Sequence, residues 1–242
     1  MPELRTASID GRSFRWRRGG EGSPLVLVHG LAGSWRWWRP VLPALEREHD
    51  VHLLDLPGFG RFPRAQPFGL DAAVDWLATW FEAAGIERAD VVGHSLGGLL
   101  AARLAGREPA LVRRLALVAP AGVPGRGPLR MTTPLARTLL ASSPRFLALL
   151  ARDAARSGPV TIGTAALALL SADVRADVSA VRAPTLVLVG RRDPLVPPAH
   201  GDELVRALPQ GIVRELDTGH VPMVERPHEL TRELLAFLRA GD

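Results

Sequence analysis

The six residues Gly93-His94-Ser95-Leu96-Gly97-Gly98 stand between a strand-like run, 89–92, and a helical run, 99–105. Glycines on both sides of a serine let neighbouring backbone approach without a Cβ clash. A sharp strand-to-helix turn forces the serine itself into a sparsely populated backbone conformation. Its hydroxyl then projects above the end of the strand, and the amides at the helix N-terminus face whatever negative charge develops there. Strand before and helix after make this Gly-x-Ser-x-Gly stretch a nucleophile elbow, which belongs at the carboxyl edge of a parallel sheet.

Working outward, unbroken apolar runs suited to strands buried on both faces recur at 25–28, 51–54, 115–118 and 185–189, and a further strand is read at 212–216. Helical spacing separates them, as in 70–84, where Leu70, Val74, Leu77 and Phe81 recur at three and four. Alternating strand and helix predicts a mainly parallel α/β sheet. Two shorter runs, 6–9 and 13–17, are joined by Asp10-Gly11, so the chain opens on an antiparallel hairpin.

The rhythm breaks once. From 121 to about 182 there is no buried strand, only helical pieces bounded by Pro124, Pro128, Pro134, Pro144 and Pro159. Ser143-Pro144 offers a capping residue followed by proline at the first helical position. About 60 residues is too long for an ordinary connection. The reading is a helical cap, 121–182, inserted in a core formed by 1–120 and 183–242; a pair of plain crossover helices is the alternative.

Composition removes whole classes of function. The 242 residues hold no cysteine, so disulfides, thiolate catalysis and zinc ribbons drop out. All 30 basic residues are arginine, against 25 acidic ones. With no lysine or tyrosine to titrate, a net charge of only +5 yields a pI of about 11.2. The pI therefore overstates basicity, and Arg12 to Arg18, the densest arginine cluster, reads as a solvated strand rather than a nucleic-acid surface. No basic start with an apolar run opens the chain, and the longest uncharged stretch, 157–172, is too short to span a bilayer. The expectation is a soluble cytoplasmic protein with neither a nucleic-acid nor a membrane partner.

A serine hydroxyl needs a base, and the base needs an orienting acid. His29 lies in a turn, His94 is the variable residue of the elbow, and His49, His52, His200 and His228 fall at or within a strand or on helical segments. Unlike those last four, His220 lies in a loop just after the strand 212–216, in Asp217-Thr218-Gly219-His220, and is read as the base. Asp193, in Gly190-Arg-Arg-Asp193-Pro, follows the preceding strand at the same sheet edge. Asp217 is too near His220 on one loop to serve. For the oxyanion, the backbone amides of Leu31, in His29-Gly30-Leu31-Ala32-Gly33, and of Leu96 are the donors. This chemistry requires no metal and no organic cofactor.

Together these motifs resemble a serine α/β-hydrolase of the capped carboxylesterase type, in register from Arg12 to Leu238. His29-Gly30, Asp55-Leu-Pro-Gly-Phe-Gly60, Gly93-His-Ser-Leu-Gly97, Asp193-Pro-Leu-Val-Pro197 and Gly219-His220 carry the resemblance. It implies an eight-stranded sheet and hydrolysis through an acyl-enzyme, with Asp55 structural. Phe62 departs from the serine many relatives carry after the arginine, which bears on the pocket edge. Serine at the elbow argues against the branches that use an aspartate nucleophile.

The expected substrate is a small-molecule carboxylic ester of short to medium acyl chain, with carbon–carbon bond hydrolysis or lactone opening as alternatives. Trp35, Trp37 and Trp38 follow the oxyanion loop and are candidates for the acyl pocket, with core packing as the other reading. Arg130, Arg137, Arg145, Arg152 and Arg156 read as a solvated cap face, with binding of an acidic substrate or carrier as the alternative. An inactive hydrolase fold used as a ligand receptor is the non-enzyme reading.

Overall fold

The eight runs become eight strands of one sheet. In the computed structural model, which describes residues 2–60, 67–123 and 128–240, these are β1 (Glu3–Ile9), β2 (Arg12–Gly19), β3 (Ser23–Val28), β4 (His49–Leu54), β5 (Ala89–His94), β6 (Val112–Val118), β7 (Thr185–Gly190) and β8 (Gly211–Leu216). Their spatial order is β1-β2-β4-β3-β5-β6-β7-β8. The pairs β1/β2 and β2/β4 are antiparallel and all others parallel. Asp10 and Gly11 both adopt positive φ, 48° and 73°, which is what a two-residue hairpin turn between twisted strands demands.

Successive side chains of the central strands enter opposite layers. Val26 and Val28 join one core with Leu115, Leu117 and Val187, whereas Leu25 and Leu27 join the other with Val92, Ala116 and Leu188. Burial on both faces explains why these strands read as continuous apolar runs. Helices cover both sides: a short α1 (Leu42–Leu45), α2 (Leu70–Ala84), α3 (Leu96–Arg107), α4 (Pro128–Ala141), α5 (Pro144–Leu170), α6 (Arg175–Ser179), α7 (Pro198–Ala207), α8 (Pro222–Glu225) and α9 (Pro227–Arg239). On α2 the buried side chains are Ala73, Val74, Leu77, Trp80 and Phe81, and Gly85 closes it in the left-handed conformation.

Between β6 and β7 the chain forms α4, α5 and α6. Ser143 caps α5 by accepting from the Phe146 amide at 3.3 Å, with Pro144 at the first helical position. The helix bends at Gly158, φ 77° and ψ 161°, ahead of Pro159, and its second half buries Thr161 and Ala165 against the body of the fold. Helix α6, at the end of the span that reads as an insertion, packs directly on α3: Arg103 meets Asp177 at 3.0 Å, and a Cβ on Gly106 would lie 2.6 Å from the Asp177 carbonyl.

Of the dense arginine cluster, Arg18 makes a two-pronged bond to Asp50 on β4, at 2.7 and 2.8 Å. Phe62, Pro124 and the side chain of Arg130 lie outside the described residues. Among the described residues no helix is long and apolar enough to cross a membrane.

Candidate active site

Ser95 separates β5 from α3 with φ 52° and ψ −115°, a strained conformation for a residue with a side chain. Neighbouring backbone holds it there. The Ser95 amide donates to the Val118 carbonyl at 3.0 Å, and the Ser95 carbonyl accepts from Leu99 at 3.1 Å and Ala121 at 3.2 Å. The flanking glycines are required by close approach. A Cβ on Gly97 would lie 2.5 Å from the carbonyl oxygens of both Val28 and His29, and one on Gly93 would collide with the Gly97 carbonyl.

Because β7 and β8 are parallel neighbours, the loops leaving them meet at the carboxyl edge of the sheet. There Asp193, His220 and Ser95 come together, each buried. One oxygen of Asp193 accepts from the Leu195 and Val196 amides at 2.8 and 3.0 Å, and the other lies 2.7 Å from His220 Nδ1. A carboxylate can only accept here, so Nδ1 carries the proton and Nε2 is the free base. His220 Nε2 stands 3.2 Å from the Ser95 hydroxyl, across 125 positions of sequence. Asp217, the rejected acid, is exposed and faces Arg192 at 3.5 Å and Arg226 at 4.0 Å.

The loop after β3 lies beside the elbow. A Cβ on Gly30 would sit 3.2 Å from the Ser95 Cβ. His29 pins this loop: its Nε2 accepts from the Leu56 amide at 3.0 Å, leaving Nδ1–H to donate to the Gly30 carbonyl at 2.8 Å. Complete burial lowers the His29 pKa and keeps the ring neutral. The amides of Leu31 and Leu96 have no hydrogen-bond partner among the described residues. Leu96 begins α3, so its amide is one that a helix leaves unpaired.

The three tryptophans behave differently from an acyl pocket. All three are buried in one hydrophobic core cluster, in line with the core-packing alternative, and Trp38, with no exposed surface, is corrected as a pocket residue. Trp35 lies under the Arg17 guanidinium, 4.6 Å from ring centre to charge, and its amide donates to Asp55 at 2.8 Å. Trp37 is the one turned toward the site, its ring tilted against the His94 ring at 5.9 Å and edge-to-face with Phe146 of α5 at 5.0 Å. The three form a 3-10 turn, 35–38, whose tight winding sends adjacent side chains in different directions. A groove of about 300 Å³ instead runs between the α4–α5 turn and the His220 loop, lined by Ser142, Ser143, Phe146, Arg192, Val221 and Val224.

Sequence reasoning passed over two side chains that touch the His220 loop. His94 Nε2 lies 2.8 Å from the His220 carbonyl, and the Glu225 carboxylate accepts from Gly219 and Val221 at 2.6 and 3.2 Å. The position of His94 inside the elbow and of Glu225 five residues after His220 were the available clues.

This arrangement defines the class. The chain belongs to the alpha/beta hydrolase family, whose sequence model matches residues 25–233, and it is a hydrolase. Over 98% of its length it is 33% identical to the dihydrolipoyllysine-residue acetyltransferase component of an acetoin cleaving system from Pseudomonas putida, covering 70% of that protein. It is 32% identical to a pimeloyl-[acyl-carrier protein] methyl ester esterase from Aeromonas hydrophila subsp. hydrophila, over 91% of this chain and 97% of that one. Among solved structures it is similar to the enol-lactonase from Burkholderia xenovorans LB400, with a TM-score of 0.83, 25% identity, and coverage of 97% and 99%.

Proposed function

We propose that the protein hydrolyses carboxylic esters of short to medium acyl chain through an acyl-enzyme, with Ser95 as nucleophile, His220 as base and Asp193 as orienting acid. The observation that carries this reading is the continuous chain from Asp193 through His220 to the Ser95 hydroxyl, at 2.7 and 3.2 Å, ending on a serine in a strained turn. The chemistry follows from those atoms. Ser95 Oγ attacks the ester carbonyl as His220 Nε2 takes the hydroxyl proton, and the imidazolium that forms lies against Asp193. The carbonyl oxygen becomes an oxyanion and accepts from the Leu31 and Leu96 amides. Collapse expels the alcohol, which leaves with the proton from His220, and water repeats the sequence on the acyl-serine.

The groove beside Val221 offers a partly apolar seat for the substrate, with Phe146 and Val224 on its walls. Similarity to a methyl ester esterase supports ester cleavage, and similarity to an enol-lactonase makes an internal ester the second reading.

The test is hydrolysis of a p-nitrophenyl ester series from acetate to decanoate by wild type and Ser95→Ala, with a serine-directed phosphonate located by mass spectrometry. Turnover with a chain-length optimum, a labelled Ser95 and an inactive variant is expected. Labelling without turnover of any linear ester, but with opening of lactones, would move the assignment to lactonase. No labelling at all would favour a receptor.

A further inference from the structure

The loop bearing His220 is held from two sides by side chains outside the triad. On one side the His94 ring donates from Nε2 to the His220 carbonyl at 2.8 Å. On the other the Glu225 carboxylate spans the two flanking peptides, one oxygen accepting from the Gly219 amide at 2.6 Å and the other from Val221 at 3.2 Å. The backbone before, at and after His220 is thus bonded to two side chains of opposite hydrogen-bonding character. His94 comes from the nucleophile turn itself, so the same residue links the serine's backbone to the base's backbone.

Energetics argue that His94 is a poor choice for stability alone. Its side chain is buried, its Nδ1 has no hydrogen-bond partner among the described residues, and it packs so tightly that a Cβ on Gly30 would lie 2.8 Å away. An unpaired buried acceptor is costly, whereas an aliphatic side chain there would carry no such penalty. What an aliphatic filler would lose is the Nε2–H bond to the His220 carbonyl, together with the ring contacts to His220 at 5.1 Å and Trp37 at 5.9 Å. Burial lowers the ring's pKa to about 3 and holds it neutral, so its single proton sits on Nε2 and is donated to the His220 carbonyl.

We infer that His94 and Glu225 are positioning residues that fix the backbone of the catalytic base, His94 by its donation to the His220 carbonyl and Glu225 by accepting from both adjacent amides. This rests on the proposed role of His220. Neither residue touches the reacting atoms; each acts through the geometry of the loop, where misplacement of a reacting group by about 1 Å costs on the order of 100-fold in rate. The hydrogen-bond roles set the pattern of substitutions. Glutamine places a donor where His94 Nε2 stands, so it can replace His94. Glutamine cannot replace Glu225, because its amide nitrogen would face a second N–H donor.

The experiment measures kcat, KM and melting temperature for His94→Gln, His94→Leu, Glu225→Gln, Glu225→Ala and the double variant His94→Leu/Glu225→Ala on the best p-nitrophenyl ester. His94→Leu is expected to lose on the order of 10- to 100-fold in kcat at nearly constant KM, without a lower melting temperature, and His94→Gln to recover most of it. Glu225→Gln is expected to fall about 10-fold and Glu225→Ala at least as far. The double variant should lose less than the product of the single losses, because both residues hold one loop. Wild-type kcat in both His94→Leu and Glu225→Ala would overturn the inference, as would equal losses in His94→Gln and His94→Leu. Should His94→Leu fail to fold, the Glu225 pair decides alone. Ser95→Ala separates the two readings: if it retains full activity the triad itself is wrong, and if it is inactive while these variants are normal only the positioning role fails.

Discussion

Ser34 and Asp153, 119 positions apart, meet at 2.6 Å with neither residue exposed, the serine hydroxyl donating to the carboxylate. Ser34 follows the loop that carries Leu31, and Asp153 sits in the first half of α5. The bond therefore ties the loop after β3, which carries Leu31, to α5. A hydrogen bond to a buried charge is worth about 1.5 to 3 kcal/mol.

Ser34→Ala should therefore lower stability by about 2 kcal/mol, and Asp153→Asn by less, because an amide oxygen still accepts. Urea unfolding of both and of the double variant checks this. Additive losses would show that the two side chains do not interact energetically.

Asp193→Asn should reduce kcat by roughly 1,000- to 10,000-fold, since the amide can present a donor to Nδ1 and favour the wrong imidazole tautomer. Asp217→Asn should leave kcat within about twofold, because that side chain is exposed and faces arginines outside the triad. Steady-state kinetics on the two variants decide which aspartate orients the base.

Glycine substitutions separate close approach from simple flexibility. Gly97→Ala drives a Cβ to 2.5 Å from two backbone oxygens, so it should displace the elbow from the loop after β3 and abolish both labelling of Ser95 and most turnover. Gly163→Ala, on α5 with nothing within 4 Å of the added carbon, should instead stabilise by about 0.5 to 1 kcal/mol. Thermal melts with phosphonate labelling report both effects.

Four buried histidines make stability pH-dependent. Burial lowers the pKa of His29, His49, His52 and His94 from the ordinary 6.5, His94 to about 3. Between the folded and unfolded values the unfolded chain binds more protons, so stability rises with pH. The contribution is fully present above about pH 6.5 and is lost progressively as pH falls toward about 3. Urea midpoints should decline steadily through that window, and His94→Leu should flatten the decline. A flat profile between pH 7 and 4 would contradict it.

Much of the candidate site is legible in the sequence. Strand, turn and helix placed Ser95, and the loops after the last two strands offered Asp193 and His220, because parallel strands bring their carboxyl ends to one edge. The tryptophans were not legible in this way. Three aromatic residues within four positions look alike in sequence, and only the packed fold shows that all three are buried in one core and that Trp37 is the one facing His94.

From the sequence alone follow the order of elements, the strained serine and the identity of the residues at the sheet edge, since these depend on local periodicity, glycine spacing and chain direction. Tertiary structure decided the rest: that Ser34 finds Asp153, that His94 reaches the His220 carbonyl and that Glu225 spans Gly219 and Val221. The reason is physical. Local propensity acts over a few residues, whereas a buried polar group takes whichever partner the packed chain brings within about 3 Å, however distant in sequence.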